Sequence, residues 1–368
     1  MIAWYLRRAG RMLTAHIDGA LLAAVLLLMA TGLTVLYSAS NAGWPRVTGQ
    51  MTNMLVALAV LWVFANIPPH VLMRLALPVF IVGLLLLLGV AWKGDVINGA
   101  RRWLHVGVTR IQPSEIMKIA APLMLAWYFH RYEGTLRLRN YVLAALLLLI
   151  PVGLIARQPD LGTAILILAS GGFVLFLAGL SWKVIAALGV TALASAPVAW
   201  SMMHDYQRQR ILMLIDPSED PLGKGYHTIQ STIAVGSGGI TGKGWMSGTQ
   251  THLDFIPERT TDFIFAVYSE EFGFVGNLVL LILFLLVISR GFVIAAQAST
   301  LFTRLLAGAI TLTFFTYAFV NMGMVSGILP VVGVPLPMIS YGGTSLVTLC
   351  LGFGILMSIH THRHLVRT

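Results

Sequence analysis

Ten stretches of this chain run for about 20 residues with few or no charged side chains, at 19–38, 50–67, 72–92, 114–131, 138–156, 160–179, 183–203, 263–290, 303–328 and 340–361. A helix of that length crosses the ~30 Å hydrocarbon core of a bilayer. No water is available there, so every backbone N–H and C=O must be satisfied inside the protein, and single runs of this kind fold as helices. Composition agrees: 57% of the residues are hydrophobic and 10% are charged, where a soluble domain carries about 25% charge. The expectation is an all-α polytopic integral membrane protein of about ten transmembrane helices, forming one membrane domain over residues 1–368. The first run follows Arg7, Arg8 and Arg11 with no clear cleavage site after it, so it is expected to remain as a span. The single cysteine, Cys350, excludes an intramolecular disulfide and reads as a packing residue.

Basic residues in short loops set orientation. With the N-terminus inside, the short cytoplasmic segments hold Arg7, Arg8, Arg11, Arg74, Arg131, Arg137, Arg139, Lys183, Arg290, Arg304, Arg363 and Arg367. Both termini are therefore expected in the cytoplasm. Most outer-side cations fall within 93–118 and 208–259. Positive charge on the translocated side opposes the insertion bias, and an anionic ligand is the simplest explanation.

Residues 204–262, between the seventh and eighth runs, are polar and rich in Gly and Pro, yet they include Tyr226, Ile229, Ile233, Trp245 and Phe255. That apolar content argues for a folded cap rather than a disordered linker. Within it, Gly236-Ser237-Gly238-Gly239-Ile240-Thr241-Gly242-Lys243-Gly244 is not a nucleotide loop. Position 237 is Ser where such a loop needs Gly, and position 244 is Gly where it needs Ser or Thr. A glycine-built turn accounts for it.

Several ionisable residues sit where they could carry chemistry. Asp262 stands at the junction of the cap and the eighth run. There it reads either as a helix N-cap or as a base held at the water–lipid boundary, and the two roles are compatible. Glu115 and Lys118 lie three residues apart near the outer end of the fourth run, so they neighbour each other as an ion pair or mark a site. Arg157 and Asp160 flank Gln158-Pro159 at a helix break and read the same way. Glu270 and Glu271 lie roughly 12 Å into the eighth run if it is helical. At least one of them requires a cation or a water-filled cavity. Arg101, Arg102 and Trp103, followed by Arg110, form a cationic loop suited to a diphosphate and a sugar face, or to lipid headgroups. His360, His362 and His364 read as a basic tail against anionic lipid rather than a metal site.

These segments resemble the SEDS family of polytopic cell-wall proteins. The resemblance is carried by 97–118, by Gln158-Pro159-Asp160-Leu161-Gly162-Thr163, by 205–223 and by Gly225-Tyr226-His227-Thr228-Ile229-Gln230-Ser231. It continues through 234–250, 255–276, 321–337 and Ile339-Ser340-Tyr341-Gly342-Gly343-Thr344-Ser345. It covers essentially the whole chain, and the wording from Asp216-Pro217 to Gly225-Tyr226-His227 favours the elongation branch over the division branch.

The resemblance implies a peptidoglycan glycosyltransferase of the bacterial cytoplasmic (inner) membrane, polymerising lipid II during cell elongation and releasing undecaprenyl diphosphate. It implies a class B penicillin-binding protein and other elongation-complex proteins as partners, and no nucleic acid. The family's essential carboxylate, in its Thr-Asp-Phe stretch, maps onto Asp262, not Asp254; Arg101, Arg110, Glu115, Lys118 and Asp160 map onto polar cavity positions that would bind substrate. A divalent cation, Mg or Mn, is compatible with such chemistry, although no motif establishes a metal site. The competing class is a lipid II flippase. That would need polar lining through the full membrane depth, whereas here the charges gather in the outer half. A scaffold that merely recruits a penicillin-binding protein is the third class.

Overall fold

The computed structural model describes residues 14–97, 100–106, 109–158, 160–203, 208–209, 211–212, 214, 224–253, 255–256 and 258–362. Its first helices are α1 (Gly19–Ala39), α2 (Trp44–Ala65) and α3 (Pro69–Lys93). A three-stranded antiparallel sheet follows, β1 (Asp95–Ile97), β2 (Ala100–Val106) and β3 (Thr109–Ile111), in the order β1-β2-β3. Then come α4 (Pro113–Arg131), α5 (Leu138–Ala156), α6 (Leu161–Leu177) and α7 (Trp182–Met202). The helices α8 (Lys224–Ser237) and α9 (Thr249–His252) then lead to α10 (Ile264–Ala296), α11 (Leu301–Val325) and α12 (Thr344–Thr361).

A helix covers each of the ten expected runs, as α1–α7 and α10–α12. Local chemistry places several of their starts. Asp18 caps α1 by accepting from Leu21 N at 2.9 Å, and Thr300 caps α11 by accepting from Thr303 N at 3.2 Å. Proline occupies the first turn of α2, α3 and α4, where its missing N–H has no helical partner to lose. This explains why α2 begins at Trp44 and not at residue 50. The tenth span begins at Thr344 because 339–343 is occupied in loop contacts described below. The stretch after residue 94, read from sequence as a cationic loop, is the small sheet.

Among the described residues, seven helices, α1, α2, α3, α5, α10, α11 and α12, are long and apolar enough to cross a membrane. Helix α4 is largely enclosed by protein: Ala120–Ala126 is buried without a break, and Lys118 is buried beside Glu115. α2 and α12 approach closely at Gly354, where an added Cβ would lie 2.4 Å from the carbonyl oxygen of Leu61.

The two described ends lie together. Arg290 donates to Asp18 at 2.5 Å, His360 Nε2 sits 3.4 Å from the same carboxylate, and His16 stacks on His362 with centroids 4.2 Å apart. Burial alone would raise the Asp18 pKa, but the hydrogen bonds from Arg290 and Leu21 outweigh it and hold it below the usual value. His360 and His362 are thus built into the helix ends and do not form a free basic tail; His364 lies outside the described residues.

Candidate functional site

Residues 258–263 form the turn that leads into α10. Thr261 N and Phe263 N both donate to the carbonyl of Glu258, at 3.0 and 3.3 Å, and the Thr261 hydroxyl donates to Glu258 Oε2 at 2.7 Å. Three successive carbonyls of the turn are clamped from outside. Tyr341 N donates to Thr260 O at 2.9 Å, the Ser340 hydroxyl to Thr261 O at 2.6 Å, and Asn321 Nδ2 to Asp262 O at 2.8 Å. Asn321 also donates to Val334 O at 2.7 Å, tying the turn to the loop before α12.

Asp262 is not the N-cap of α10: Phe263 holds that position, and no side chain caps the helix. The Asp262 carboxylate forms no hydrogen bond or ion pair with any described residue. Gly333 lies against it, with the site of an added Cβ 3.3 Å from Asp262 Oδ2. Burial, reinforced by the negative charge of Glu258, pushes its pKa up to about 6. An unpartnered carboxylate with a raised proton affinity can accept a proton.

One level deeper, Lys118 Nζ meets Glu115 Oε1 at 2.5 Å, and Lys118 is only 6% exposed. Thr348 donates to the other Glu115 oxygen at 3.1 Å. The ammonium lies 5.2 Å from the centroid of the Tyr317 ring. Tyr317 and Asn321 are four residues apart on α11, about 6 Å along the axis. The ion pair and the Asp262 turn are therefore adjacent levels on one helix face. Beside Lys118 lies a small hollow lined mostly by apolar side chains, among them Ile119, Ile310, Phe314 and Phe353.

Asp160 caps α6, accepting from Thr163 N at 3.4 Å, and its other oxygen lies 3.7 Å from Arg102 Nε. Its cationic neighbour is Arg102, whereas Arg157 lies among Leu84, Leu88, Ile150 and Leu154. The backbones of Arg101 and Arg110 pair with Val96 and His105 in the sheet. Their side chains lie outside the described residues. The same loop that meets Asp262 also meets α6, since an added Cβ on Gly162 would lie 2.7 Å from Val332 O. Asp160 and Asp262 thus flank one segment, 332–334.

The glycine cluster enters a break in α10. At Gly273 the backbone takes φ 62°, ψ −160°, and an added Cβ there would lie 2.3 Å from Gly242 N. Backbone bonds cross the break: Lys243 N to Glu270 O and Gly244 N to Glu271 O at 3.0 Å each, and Phe274 N to Gly239 O at 2.9 Å. Glu270 finds its expected cation in Lys243 at 2.7 Å and also accepts from Gln250 N at 2.9 Å and Thr251 Oγ1 at 3.1 Å. Glu271 accepts from the Ser38 hydroxyl. Both carboxylates are enclosed by protein, not lipid. Thr251 O in turn accepts from Arg259 at 2.8 Å, which connects Glu270 to the Asp262 turn.

Sequence reasoning missed Arg102 as the neighbour of Asp160, and Tyr317, Asn321 and Ser340 as supports. Arg102 could have been found by reading 100–106 as a strand, whose alternation separates residues 101 and 102 onto opposite faces. Asn321 had one local signal, an amide in an apolar run.

The sequence pattern of the cell cycle protein family FtsW/RodA/SpoVE matches residues 14–365. Peptidoglycan glycosyltransferase MrdB of Escherichia coli K12 is 51% identical over 352 residues, covering 95% of both chains. MrdB of Helicobacter pylori J99 is 36% identical over 320 residues, covering 84% of this chain and 82% of that relative. Among solved structures, a chain from work on structural coordination of polymerization and crosslinking by a peptidoglycan synthase complex superposes with a TM-score of 0.83 at 35% identity, covering 94% of this chain and 98% of that one. The rod shape determining protein RodA of Thermus thermophilus superposes with a TM-score of 0.72 at 30% identity, covering 94% and 97%.

Proposed function

The chain belongs to the FtsW/RodA/SpoVE family of cell cycle proteins, and we propose that it is a peptidoglycan glycosyltransferase whose reaction centre is the Asp262 turn. It serves rod-shape elongation, in keeping with its likeness to MrdB and RodA. It is a membrane protein of several spans. The basic-residue bias orients it with both termini in the cytoplasm and the Asp262 turn on the periplasmic side.

The observation that carries this reading is the unpartnered Asp262 carboxylate one helical level above the buried Lys118–Glu115 pair. The substrate is lipid II. The 4-hydroxyl of one sugar attacks the anomeric carbon of a second lipid-linked glycan, forming a C–O bond as the C–O bond to diphosphate breaks. Asp262 takes the hydroxyl proton, the diphosphate leaves with the bonding electrons, and direct displacement inverts the anomeric centre. Lys118, with Arg101, Arg102 and Arg110, would stabilise the charge gathering on the diphosphate. Glu115 holds the Lys118 ammonium in place, and Asp160 does the same for Arg102.

A divalent cation, Mg or Mn, would suit the same place. No group of three or more His, Cys, Asp or Glu able to hold a metal occurs among the described residues. Asp262, with Glu258 nearby, offers hard oxygen donors to an ion that takes its other ligands from water and phosphate. Bound there, it would supply positive charge to the diphosphate.

The partner is a class B penicillin-binding protein supplying the crosslinking step, as the structural likeness to a chain of a polymerization-and-crosslinking complex supports. A lipid II flippase, which needs polar lining through the membrane depth, is disfavoured by the mostly apolar lining of the hollow beside Lys118. The test is polymerisation of purified lipid II, supplied without any membrane barrier, by wild type and Asp262→Asn of equal thermal stability. Loss of a general base lowers the rate by about 10²–10⁴-fold. Near-normal polymerisation by Asp262→Asn would remove Asp262 from the mechanism.

A further inference from the structure

An open groove of about 500 Å³ lies on the outer flank of the Asp262 turn, lined by Arg46, Ile256, Glu258, Thr260, Thr261 and Tyr341. Its lining is largely polar, whereas the hollow beside Lys118 is walled mostly by apolar side chains. Its floor is rigid. The carbonyls of Thr260 and Thr261 are clamped by Tyr341 and Ser340, and the Glu258 carboxylate is held by the Thr261 hydroxyl at 2.7 Å.

Two guanidinium groups border this groove, and they differ in one respect. Arg259 is occupied by protein, donating to Ala39 O at 2.6 Å and Thr251 O at 2.8 Å. Arg46 is exposed and makes no side-chain hydrogen bond or ion pair with any described residue. It stands in the first turn of α2, where the helix dipole disfavours a cation, so it does not serve the helix. An unpaired guanidinium beside hydroxyls, a carboxylate and a tyrosine ring suits a sugar bearing an anionic substituent.

We propose that this groove is a substrate subsite in which Arg46 binds a carboxylate of the peptide carried by the saccharide, while Glu258, Thr260 and Tyr341 face the sugar. This rests on the glycosyltransferase reading and adds which part of the substrate is recognised outside the reacting atoms. A carboxylate is favoured over the diphosphate because Lys118 already stands one level deeper, on the membrane side of the turn, and Arg46 opens to water. The pairing is bidentate, which a lysine would not reproduce.

The experiment measures polymerisation by full-length protein with lipid II and with lipid II whose peptide carboxylates are converted to amides. Wild type, Arg46→Gln and Arg46→Lys are compared. Amidation is expected to raise the wild-type KM by about tenfold, with kcat changed by no more than about twofold. Arg46→Gln should show that rise with lipid II and no further rise with the amide, and Arg46→Lys should fall between. A full Arg46→Gln penalty persisting on the amidated lipid, or indifference of wild type to amidation, overturns the subsite. If wild type polymerises neither lipid, the glycosyltransferase reading itself fails, and the subsite falls with it.

Discussion

Asn321 holds Asp262 by its backbone: the side-chain amide donates to the Asp262 carbonyl at 2.8 Å while its second hydrogen goes to Val334 O at 2.7 Å. One amide thus sets the separation between the turn that carries the carboxylate and the loop that faces it. The residue is wholly buried, so neither carbonyl has water as a substitute.

Asn321→Ala is expected to leave both carbonyls without this donor and to lower stability by about 2 kcal/mol or more. Polymerisation should fall further than the unfolded fraction explains, because the carboxylate loses its register. Thermal unfolding in detergent, run beside the polymerisation assay, separates the two losses. Equal losses in both would show that Asn321 stabilises without positioning.

The raised pKa of Asp262 predicts a pH profile. Its carboxylate titrates near 6 in the folded protein against 3.8 for the free group. A base must be ionised, so polymerisation should rise through a limb centred near pH 6. Stability runs the other way. Ionisation is harder in the folded state, so folding loses free energy as pH climbs from about 4 to 6 and does not regain it above. Asp262→Asn should therefore melt higher than wild type at pH 7.5 and at the same temperature below pH 4. A variant that melts lower at pH 7.5 would contradict this.

Lys118 and Glu115 test the cost of a broken pair. Lys118→Met leaves Glu115 almost buried without its cation, a loss of about 3–5 kcal/mol. The double variant Glu115→Gln/Lys118→Met should recover most of that stability, since the lone charge is gone, yet remain inactive for want of the ammonium. Recovery of polymerisation in the double variant would show that the pair is structural alone.

Gly273 takes a conformation almost exclusive to glycine, and an added Cβ would lie 2.3 Å from Gly242 N. Gly273→Ala should expel the 238–244 loop from the break in α10, at about 3 kcal/mol or more. Limited proteolysis reads the effect directly, with new cleavage expected between Gly238 and His252. An unchanged digestion pattern would mean that the break tolerates a side chain.

Much of the helical framework was legible because apolar length and the hydrogen-bond demands of lipid act on the chain locally. The Glu115–Lys118 contact was legible for a related reason, since three residues along a helix bring two side chains to one face. Asp262 was legible as a carboxylate at a helix start, but its cap-or-base ambiguity was real: such a residue looks the same in sequence whether or not a backbone N–H reaches it. Asp160 illustrates the opposite failure. Arg157 is near in sequence, and Arg102 across the fold is the cation beside it. The pairing of Glu270 with Lys243 was legible only as a need, not as a partner.

What the sequence by itself determined is the class of molecule: a bundle of membrane-crossing helices with its stranded charges near one end. Each run must satisfy its own backbone, so that result needs no knowledge of what packs beside it. Tertiary structure decided which charges are spent and which are left over. It buried Glu270 against Lys243, set the Glu115–Lys118 pair against Tyr317 and Thr348, and left the Asp262 carboxylate without a partner among the described residues. Those outcomes depend on contacts between segments far apart in the chain, 59 residues for Asn321 and Asp262 and 233 for Thr348 and Glu115. Helical periodicity encodes which face is apolar, but not which distant polar atom arrives there.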